Sequence, residues 1–278
     1  GSRGLGDVYK RQAISRAERL LLFTKIIMAK PIEYGIEKLA ANQACYLAQE
    51  LANLIDTVHN QGLSFDRLTD LVPEEYAVHW QETLKFLQII TEYWPQILAE
   101  RQLIDASDRR NRLLRAQIDL WRQNPPVKRI VAAGTTAAFP LMKELVKTVL
   151  SLEKGELYLA GIDKFLEDEA WEKIDETHPQ HELKELLDYL TVRREDIPDL
   201  QTPENFGREV LISEVMRPAA TTEKWRDIAG KKIRHEAADG ITLVNCADMR
   251  EEALTIALLL REAVETPEKT AALVTGDR

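Results

Sequence analysis

Few residues of this sequence have the types and spacing that catalysis or metal binding requires. His178 and His181 are separated only by a proline and a glutamine, but a zinc site needs further ligands at fixed geometry. The run Glu182-Leu183-Lys184 matches only the E-x-K part of a nuclease motif, and no aspartate on a convincing strand precedes it. Gly230-Lys231-Lys232 lacks the upstream glycine and the hydroxyl residue of a phosphate-binding loop. The sequence therefore predicts no complete catalytic site and no metal site.

A β-rich run at residues 129–133 is informative because of the residues at its end. In many nucleotide hydrolases a buried strand of this kind ends in Asp-Glu, which holds magnesium and activates water. Here the corresponding residues are Ala132 and Ala133, followed by Gly134, and a methyl group cannot coordinate a cation. If the strand occupies that place in the fold, the chain does not hydrolyse ATP there.

The spacing of apolar residues divides the chain into two halves. Between residues 13 and 124 apolar residues recur every three or four positions, which predicts four amphipathic helices and no strand. Pro73 opens the third helix, and Pro95 is expected to break or kink it. The longest stripe closes at Gly62 and consists of Ile36, Ala40, Ala44, Ala48, Leu51, Ile55 and Val58.

From residue 127 onward the pattern changes to strands that alternate with helices. Helices are predicted at residues 139–152 and at 251–265, the second of them capped by Asp248. Strands are predicted at residues 129–133, 156–160, 241–245 and 269–275. This order, with connections of this length, is typical of a parallel sheet with crossover helices. We therefore predict an α/β fold with a large all-α insertion.

Charge is distributed unevenly along the 278 residues. The formal net charge of −9 argues against a uniformly basic nucleic-acid-binding module. Residues 101–128 nevertheless contain seven basic and three acidic residues, whereas residues 151–214 contain eighteen acidic and seven basic ones. Two interpretations are open: two solvated helical faces, or a phosphate-facing patch beside an acidic surface.

Composition and the chain ends narrow the class of protein. No apolar run approaches the roughly 20 residues that a membrane helix needs. Cys45 and Cys246 are the only cysteines and lie far apart, which excludes a disulfide scaffold and favours a cytoplasmic setting.

Residues 1–12 lack apolar periodicity, and we expect them to be a leader derived from a tag or adaptor. Because the last predicted strand is so close to residue 278, we expect a truncated fragment of a longer protein.

Six segments carry a resemblance to a known family, and they cover most of the chain after residue 13. They are residues 71–97 (LVPEEYAVHWQETLKFLQIITEYWPQI), 108–120, 131–140 (VAAGTTAAFP), 178–190, 211–225 (LISEVMRPAATTEKW) and 241–278. In this order they resemble the AddB subunit of bacterial AddAB helicase–nucleases, in its alphaproteobacterial form. The six segments together indicate this family more specifically than any one of them does alone.

The resemblance implies a superfamily 1 helicase-like fold, with a P-loop NTPase-like parallel sheet that is catalytically degenerate and truncated here. Residues 13–126 would be a 1B-like helical insertion, residues 127–236 the α/β core of the first motor-like domain, and residues 237–278 the start of the second. With the AddA motor subunit as heterodimer partner, such proteins process DNA double-strand ends for recombinational repair, as ATP-dependent helicase and exodeoxyribonuclease. ATP with magnesium and a 4Fe-4S cluster are implied for the parent protein outside these residues, and no cofactor is expected within them.

The resemblance also assigns roles to residues near the predicted strands. Ala132 and Ala133 would stand at the degenerate Walker B position. Arg250, Glu251 and Glu252 resemble the start of a helicase-motif helix.

Two sets of residues are candidates for DNA contact. Loops that follow the core strands of helicase-like folds often face single-stranded DNA, which makes Gly134, Thr135 and Thr136 candidates, unless they form a plain strand-to-helix turn. A second set would face duplex DNA, unless it forms a solvated face or intramolecular salt bridges. It consists of Arg109, Arg110, Arg112 and Arg115.

Three functions remain open from the sequence. The first is a non-catalytic scaffold that binds DNA and its motor partner. The second is an active ATPase fragment whose phosphate loop lies upstream, and the third is a helical protein–protein interaction module without DNA binding. Trp80, Trp94 and Trp121 lie on apolar stripes, which favours core packing over stacking on bases.

Overall fold

The structure is a computed structural model, and it describes residues 11–29, 39–65, 86–201, 206–230 and 235–276. These residues form a mixed α/β fold, with many helices and two parallel sheets of two strands each. The chain divides into two compact units. The first comprises Gly1–Leu200 with Pro218–Thr221, and the second comprises Gln201–Arg217 with Thr222–Arg278. This division lies inside the segment 127–236 that the sequence assigned to one domain.

The first part of unit 1 is a helical bundle. It contains helices α1 (Arg16–Ala29), α2 (Ala41–Asn60), α3 (Trp94–Glu100) and α4 (Ala106–Gln123). The predicted stripe on α2 is confirmed for its central residues, since Ala44, Ala48, Leu51 and Ile55 are all buried. Ala40 is instead exposed at the N-cap, Val58 is half-buried, and Ile36 lies outside the described residues. The four buried residues belong to one core with Phe23 and Ile27 of α1, and each large side chain buried there contributes about 1.5–3 kcal/mol. The helix predicted to open at Pro73 lies outside the described residues.

Pro95 does not break the helical run, although a break was one of the two outcomes that the sequence predicted. A π-helical turn, Ile89–Tyr93, precedes it, and Pro95 is the second residue of α3. Because the preceding residues are also helical, another residue at this position could donate its N–H to a carbonyl of the preceding turn, which proline cannot do. The wider π-helical turn is the local distortion that accompanies it.

One prediction for this half is wrong, because it does contain two short strands. β1 (Gln12–Ala13) and β2 (Leu103–Ile104) pair in parallel, with Gln12 opposite Leu103. The N–H of Ile14 extends the pairing by donating to the carbonyl oxygen of Ile104 at 2.9 Å. Gln12 had been assigned to the leader, of which residues 1–10 lie outside the described part of the chain. Two-residue strands have no periodicity of their own and form only where distant segments meet.

The second part of unit 1 is built on a strand–helix–strand arrangement. β3 (Ile130–Ala133) and β4 (Gly155–Tyr158) pair in parallel and are connected through helix α5 (Pro140–Leu150). All three elements were predicted to within two residues at each end. Gly155 is required where the chain enters β4, because a Cβ there would lie 1.7 Å from the carbonyl oxygen of Val149. Helices α6 (Asp168–Glu172) and α7 (His181–Leu190) follow, and Leu186 of α7 packs with Val146 of α5.

Unit 2 contains helices α8 (Phe206–Val215) and α9 (Met249–Glu265), with the 3-10 helix His235–Ala238 against α8. The prediction of α9 and of its cap at Asp248 is confirmed: the carboxylate accepts from the N–H groups of Arg250 and Glu251. The strands predicted at residues 241–245 and 269–275 are wrong, because neither segment pairs with any described strand. Their apolar side chains are exposed, Leu243 by 85% and Val274 by 92%.

Candidate functional site

The candidate loop follows directly on the end of β3, the strand that ends in two alanines. Ala132 and Ala133 pair with Leu157 and Tyr158 of β4. The chain then turns at Gly134, whose φ of +67° lies in the left-handed region that glycine adopts without strain. A second left-handed residue, Ala137, is buried beneath the turn. The strand thus ends at the residue that the sequence predicted, and its end carries methyl groups, while its correspondence to a Walker B position stays a prediction.

The two threonines of the loop form hydrogen bonds within the protein. Thr135 Oγ1 accepts from the N–H of Ala137 at 3.0 Å, which stabilises the turn itself. Thr136 Oγ1 donates to the carboxylate of Glu182, on the first turn of α7. A phosphate that approached Thr136 would meet this negative charge. These contacts are those of a strand-to-helix turn, and DNA binding by the loop stays a prediction.

Acidic side chains do lie near β3, although the strand itself ends in alanines. Glu156 of β4 accepts from Arg129 Nε at 2.8 Å and from the hydroxyl of Tyr158 at 2.7 Å. The hydrogen bond from Arg129, aided by that from Tyr158, lowers the pKa of Glu156. Glu156 is therefore already neutralised by an arginine, whereas Glu182 has only the Thr136 hydroxyl as its described partner.

The candidate arginines of α4 do not form one continuous patch. At about 100° per residue, Arg112 and Arg115 lie on a face that also carries Asp108 and Asp119. Arg112 is paired with Asp108 at 2.8 Å. Arg110 donates to Asn60 and stands 5.4 Å from the ring centre of Phe139. The predicted intramolecular pairing thus holds for part of the set.

Two of these arginines remain without a partner among the described residues. Arg115 is exposed and forms no hydrogen bond or ion pair with them. Arg109 is half-buried, and its Nε is buried without a hydrogen-bond partner there. Arg115 keeps its donors available for an external anion, whereas the buried Nε of Arg109 is out of reach of one and only its terminal nitrogens can contribute. Arg115 is therefore the strongest candidate of the four, followed by Arg109.

The run Arg250-Glu251-Glu252 forms the exposed first turn of α9. Glu251 accepts from the backbone N–H of Ala247 at 2.7 Å, while Asp248 accepts from Arg250 and Glu251. These reciprocal bonds form a capping arrangement, which accounts for an acidic residue at this spacing. The structure thus gives Glu251 a role in starting the helix.

The tryptophans differ in burial. Trp94 is 2% exposed and packs 4.3 Å from the ring centre of Phe23, which confirms its prediction as a core residue. Trp171 is buried beneath Arg194, whose guanidinium carbon lies 4.7 Å from the ring centre. Trp121 is half-buried and Trp225 is 47% exposed. Trp80 lies outside the described residues.

A buried polar network in the helical bundle was not predicted from the sequence. Arg19 donates through both terminal nitrogens to Asp56, at 2.9 and 2.6 Å, and also to Asp105 at 3.2 Å. The indole N–H of Trp94 donates to the other oxygen of Asp105 at 2.7 Å. Arg19 occupies the same face of α1 as Phe23 and Ile27, and a charge at that spacing is the sequence signal for a buried pair.

The network shifts the pKa values of Asp56 and Arg19. Burial raises the pKa of Asp56, but hydrogen bonds from Arg19 and Ser107 together with the charge of Arg19 outweigh it, so the pKa is lowered below the ordinary 3.8. Burial likewise disfavours the charged form of Arg19, but its hydrogen bonds to Asp56 and the charges of Asp56 and Asp105 outweigh this and raise its pKa above the ordinary value. Both groups are held in their charged forms.

The histidine pair does not form a metal site with its described neighbours. His178 Nδ1 accepts from the N–H of Gln180, and His181 Nε2 lies 3.6 Å from Glu185. Helix α7 begins at His181, so Pro179 and His178 lie before its first turn. Within the described ranges, no group of three or more His, Cys, Asp or Glu side chains could hold a metal ion. Cys45 and Cys246 are free thiols.

No helix in the described part of the chain has the length and apolar character needed to cross a membrane.

Comparisons of the chain with protein-family models, with curated proteins and with solved structures found no match.

Proposed function

We propose that the chain is a non-catalytic, helicase-like scaffold of an AddAB-type complex that processes DNA double-strand breaks in the cytoplasm. The observation that carries the proposal is the β3–α5–β4 unit, a parallel crossover arrangement whose first strand ends in Ala132 and Ala133. The ordered resemblance to AddB supplies the identity of the complex. Within this proposal, the chain binds DNA and an AddA-type motor subunit, and the motor subunit hydrolyses ATP.

Arg109 and Arg115 of α4 are the proposed DNA contacts. Arg109 and Arg115 have no described partner, so each gains a phosphate contact without first breaking an ion pair. Arg112 would have to give up its ion pair with Asp108 before it could bind a phosphate, so it would contribute less to the free energy of DNA binding. The chain's overall charge of −9 means that attraction to DNA must be local to this helix.

DNA binding is tested with the full chain and an AddA-type subunit on a labelled duplex with a single-stranded tail. Fluorescence anisotropy at several salt concentrations gives the affinity and its salt slope. The double variant Arg109→Gln, Arg115→Gln is expected to bind roughly tenfold more weakly and to reduce the slope by about 1.8, since each phosphate contact contributes about 0.9.

The matched control removes two arginines that are ion-paired elsewhere. Arg101 pairs with Glu18, and Arg193 pairs with Glu195 and Asp196. The double variant Arg101→Gln, Arg193→Gln changes the net charge equally and is expected to leave the slope unchanged. If the wild-type chain with its motor partner does not bind DNA, the proposal fails and an interaction module without DNA binding is favoured.

A second candidate, an active ATPase fragment, is favoured by one observation. The carboxylate of Glu182 lies at the loop after β3 and is held by Thr136. The two candidates differ in magnesium-dependent ATP hydrolysis by the parent subunit alone. We expect none; hydrolysis that is lost on Glu182→Gln would establish the ATPase instead.

A further inference from the structure

A cavity in unit 1 separates the end of α2 from helices α4, α5 and α7. Its volume is about 310 Å³, at the lower end of the range that small ligands occupy. Its polar and aromatic lining includes His59, Asn60, Asn111, Arg115, Glu144 and Tyr189. Neither the candidate DNA loop nor the buried network around Arg19 contributes to it.

Acceptor groups of this lining are already used by the protein. The carbonyl oxygen of His59 accepts from Asn111 at 2.6 Å and from the N–H of Gly62 at 3.0 Å. Asn60 Oδ1 accepts from Arg110, and the Glu144 carboxylate is paired with Arg122 at 2.9 Å. A ligand that brings only donors would find these acceptors engaged.

Donors of the lining are left over. The guanidinium of Arg115 forms no hydrogen bond with any described residue, and the Asn60 amide nitrogen forms none either. The amide must present this nitrogen as a donor, because its oxygen is taken by Arg110. A ligand that fits must therefore supply acceptors and negative charge.

The charges around the cavity select the kind of anion. Arg110 and Arg122 adjoin it through Asn60 and Glu144, and Lys147 stands 5.0 Å from the ring centre of Tyr189. The lining itself has one cation, Arg115, and one carboxylate, Glu144, which Arg122 already pairs. With the three cations that contact lining residues, positive charge is in excess around the cavity, which suits a doubly charged anion better than a singly charged one.

We propose that this cavity binds a phosphate monoester, with the Arg115 guanidinium as its main ligand and the Asn60 amide as a second donor. The phosphate belongs either to a small nucleotide or to the 5′ end of a DNA strand. This inference shares Arg115 with the proposed DNA contact, but its test with dAMP and inorganic phosphate uses no DNA, so either proposal can fail without the other.

The test titrates dAMP and inorganic phosphate into the full chain by isothermal titration calorimetry, at constant ionic strength. Wild type is expected to bind dAMP with a Kd of about 1 mM or tighter. Arg115→Gln is expected to weaken binding roughly tenfold, the usual effect of losing one charge-assisted hydrogen bond. Glu144→Gln, which removes the carboxylate and frees Arg122, is expected to strengthen it roughly twofold to fivefold. Arg101→Gln, an equal change of charge away from the cavity, is the control and leaves the Kd unchanged.

A second arm separates the two sources of phosphate. A short single strand with a 5′-phosphate is compared with the same strand carrying a 5′-hydroxyl. If only the phosphorylated strand binds, and Arg115→Gln removes that preference, the ligand is a DNA end. The proposal is overturned if neither dAMP, phosphate nor the phosphorylated strand shows binding that depends on Arg115, in variants whose thermal unfolding matches wild type. It is also overturned if acetate binds as tightly as phosphate.

Discussion

Replacement of Asp105 by alanine tests whether the buried network stabilises unit 1. Asp105 is 3% exposed, and its two oxygens accept from Trp94 and Arg19. Its side chain forms no capping hydrogen bond to α4, although it occupies the N-cap position. Any loss of stability therefore comes from the two side-chain contacts and not from the helix end.

The magnitude follows from what each partner loses. The indole N–H of Trp94 is left buried without an acceptor, which costs about 1–3 kcal/mol. Arg19 keeps both bonds to Asp56, so the loss on that side is smaller, about 1 kcal/mol. The sum is about 3 kcal/mol, which lowers the melting temperature of a unit of this size by roughly 6–12 °C.

Urea unfolding followed by circular dichroism at several temperatures measures this loss. Arg101→Ala removes an exposed ion pair to Glu18 and is the control, with an expected cost below about 1 kcal/mol. Trp94→Phe removes the donor instead, and the double variant with Asp105→Ala is expected to cost less than the sum of the single changes. The reasoning is refuted if Asp105→Ala costs no more than Arg101→Ala, or if the double variant is strictly additive.

Further predictions concern pH, backbone and capping. Because the pKa of Asp56 is lower in the folded than in the unfolded chain, Asp56 contributes fully to the free energy of unfolding above its unfolded pKa of about 3.9. That contribution is lost as the pH falls through the folded pKa. The Asp56→Asn variant should therefore show a flatter dependence of stability on pH in this acidic range, measured by urea unfolding. Gly155→Ala is expected to destabilise unit 1 by roughly 3 kcal/mol or more, because the Cβ of the new alanine would clash with the Val149 carbonyl. Gly62→Ala is the comparison: it has φ +67° but open space around it, so it should cost about 1 kcal/mol. Asp248→Ala removes two N-cap hydrogen bonds and should cost α9 about 1 kcal/mol, measured by thermal melts; no change would contradict the capping role.

Helices and the parallel crossover unit were predictable because their causes are local. The α2 stripe follows from residues three and four apart, and α9 follows from its cap at Asp248 and the residues after it. The turn at Gly134 was marked by a glycine at the end of a β-rich run. Each of these features is determined by neighbours along the chain.

The strand predictions at residues 241–245 and 269–275 failed because a strand is a property of a pair. The β-branched residues of these segments favour extended backbone, but they do not say whether another strand lies alongside. β1 and β2 show the converse, since two residues each suffice when the partner is in place. Local sequence cannot decide either case.

Side-chain partners in the candidate site were the least predictable part. The sequence placed four arginines close together on α4, but it did not say that Asp108 would take Arg112 while Arg115 stays unpaired. Nor did it reveal that Glu182 would reach Thr136, because that contact joins residues 46 positions apart.

The network around Arg19 has a consequence for the order of folding during synthesis. Arg19 meets Asp56 across 37 residues, whereas it meets Asp105 only across 86. At about 5–20 residues per second, a ribosome adds that longer stretch in roughly 4–17 s. Between the synthesis of Asp56 and that of Asp105, Arg19 has one carboxylate, and the indole N–H of Trp94, once synthesised, still lacks its acceptor. The helical bundle can therefore close fully only after Asp105 has left the exit tunnel, so a ribosomal pause before that point would prolong exposure of its unfinished core.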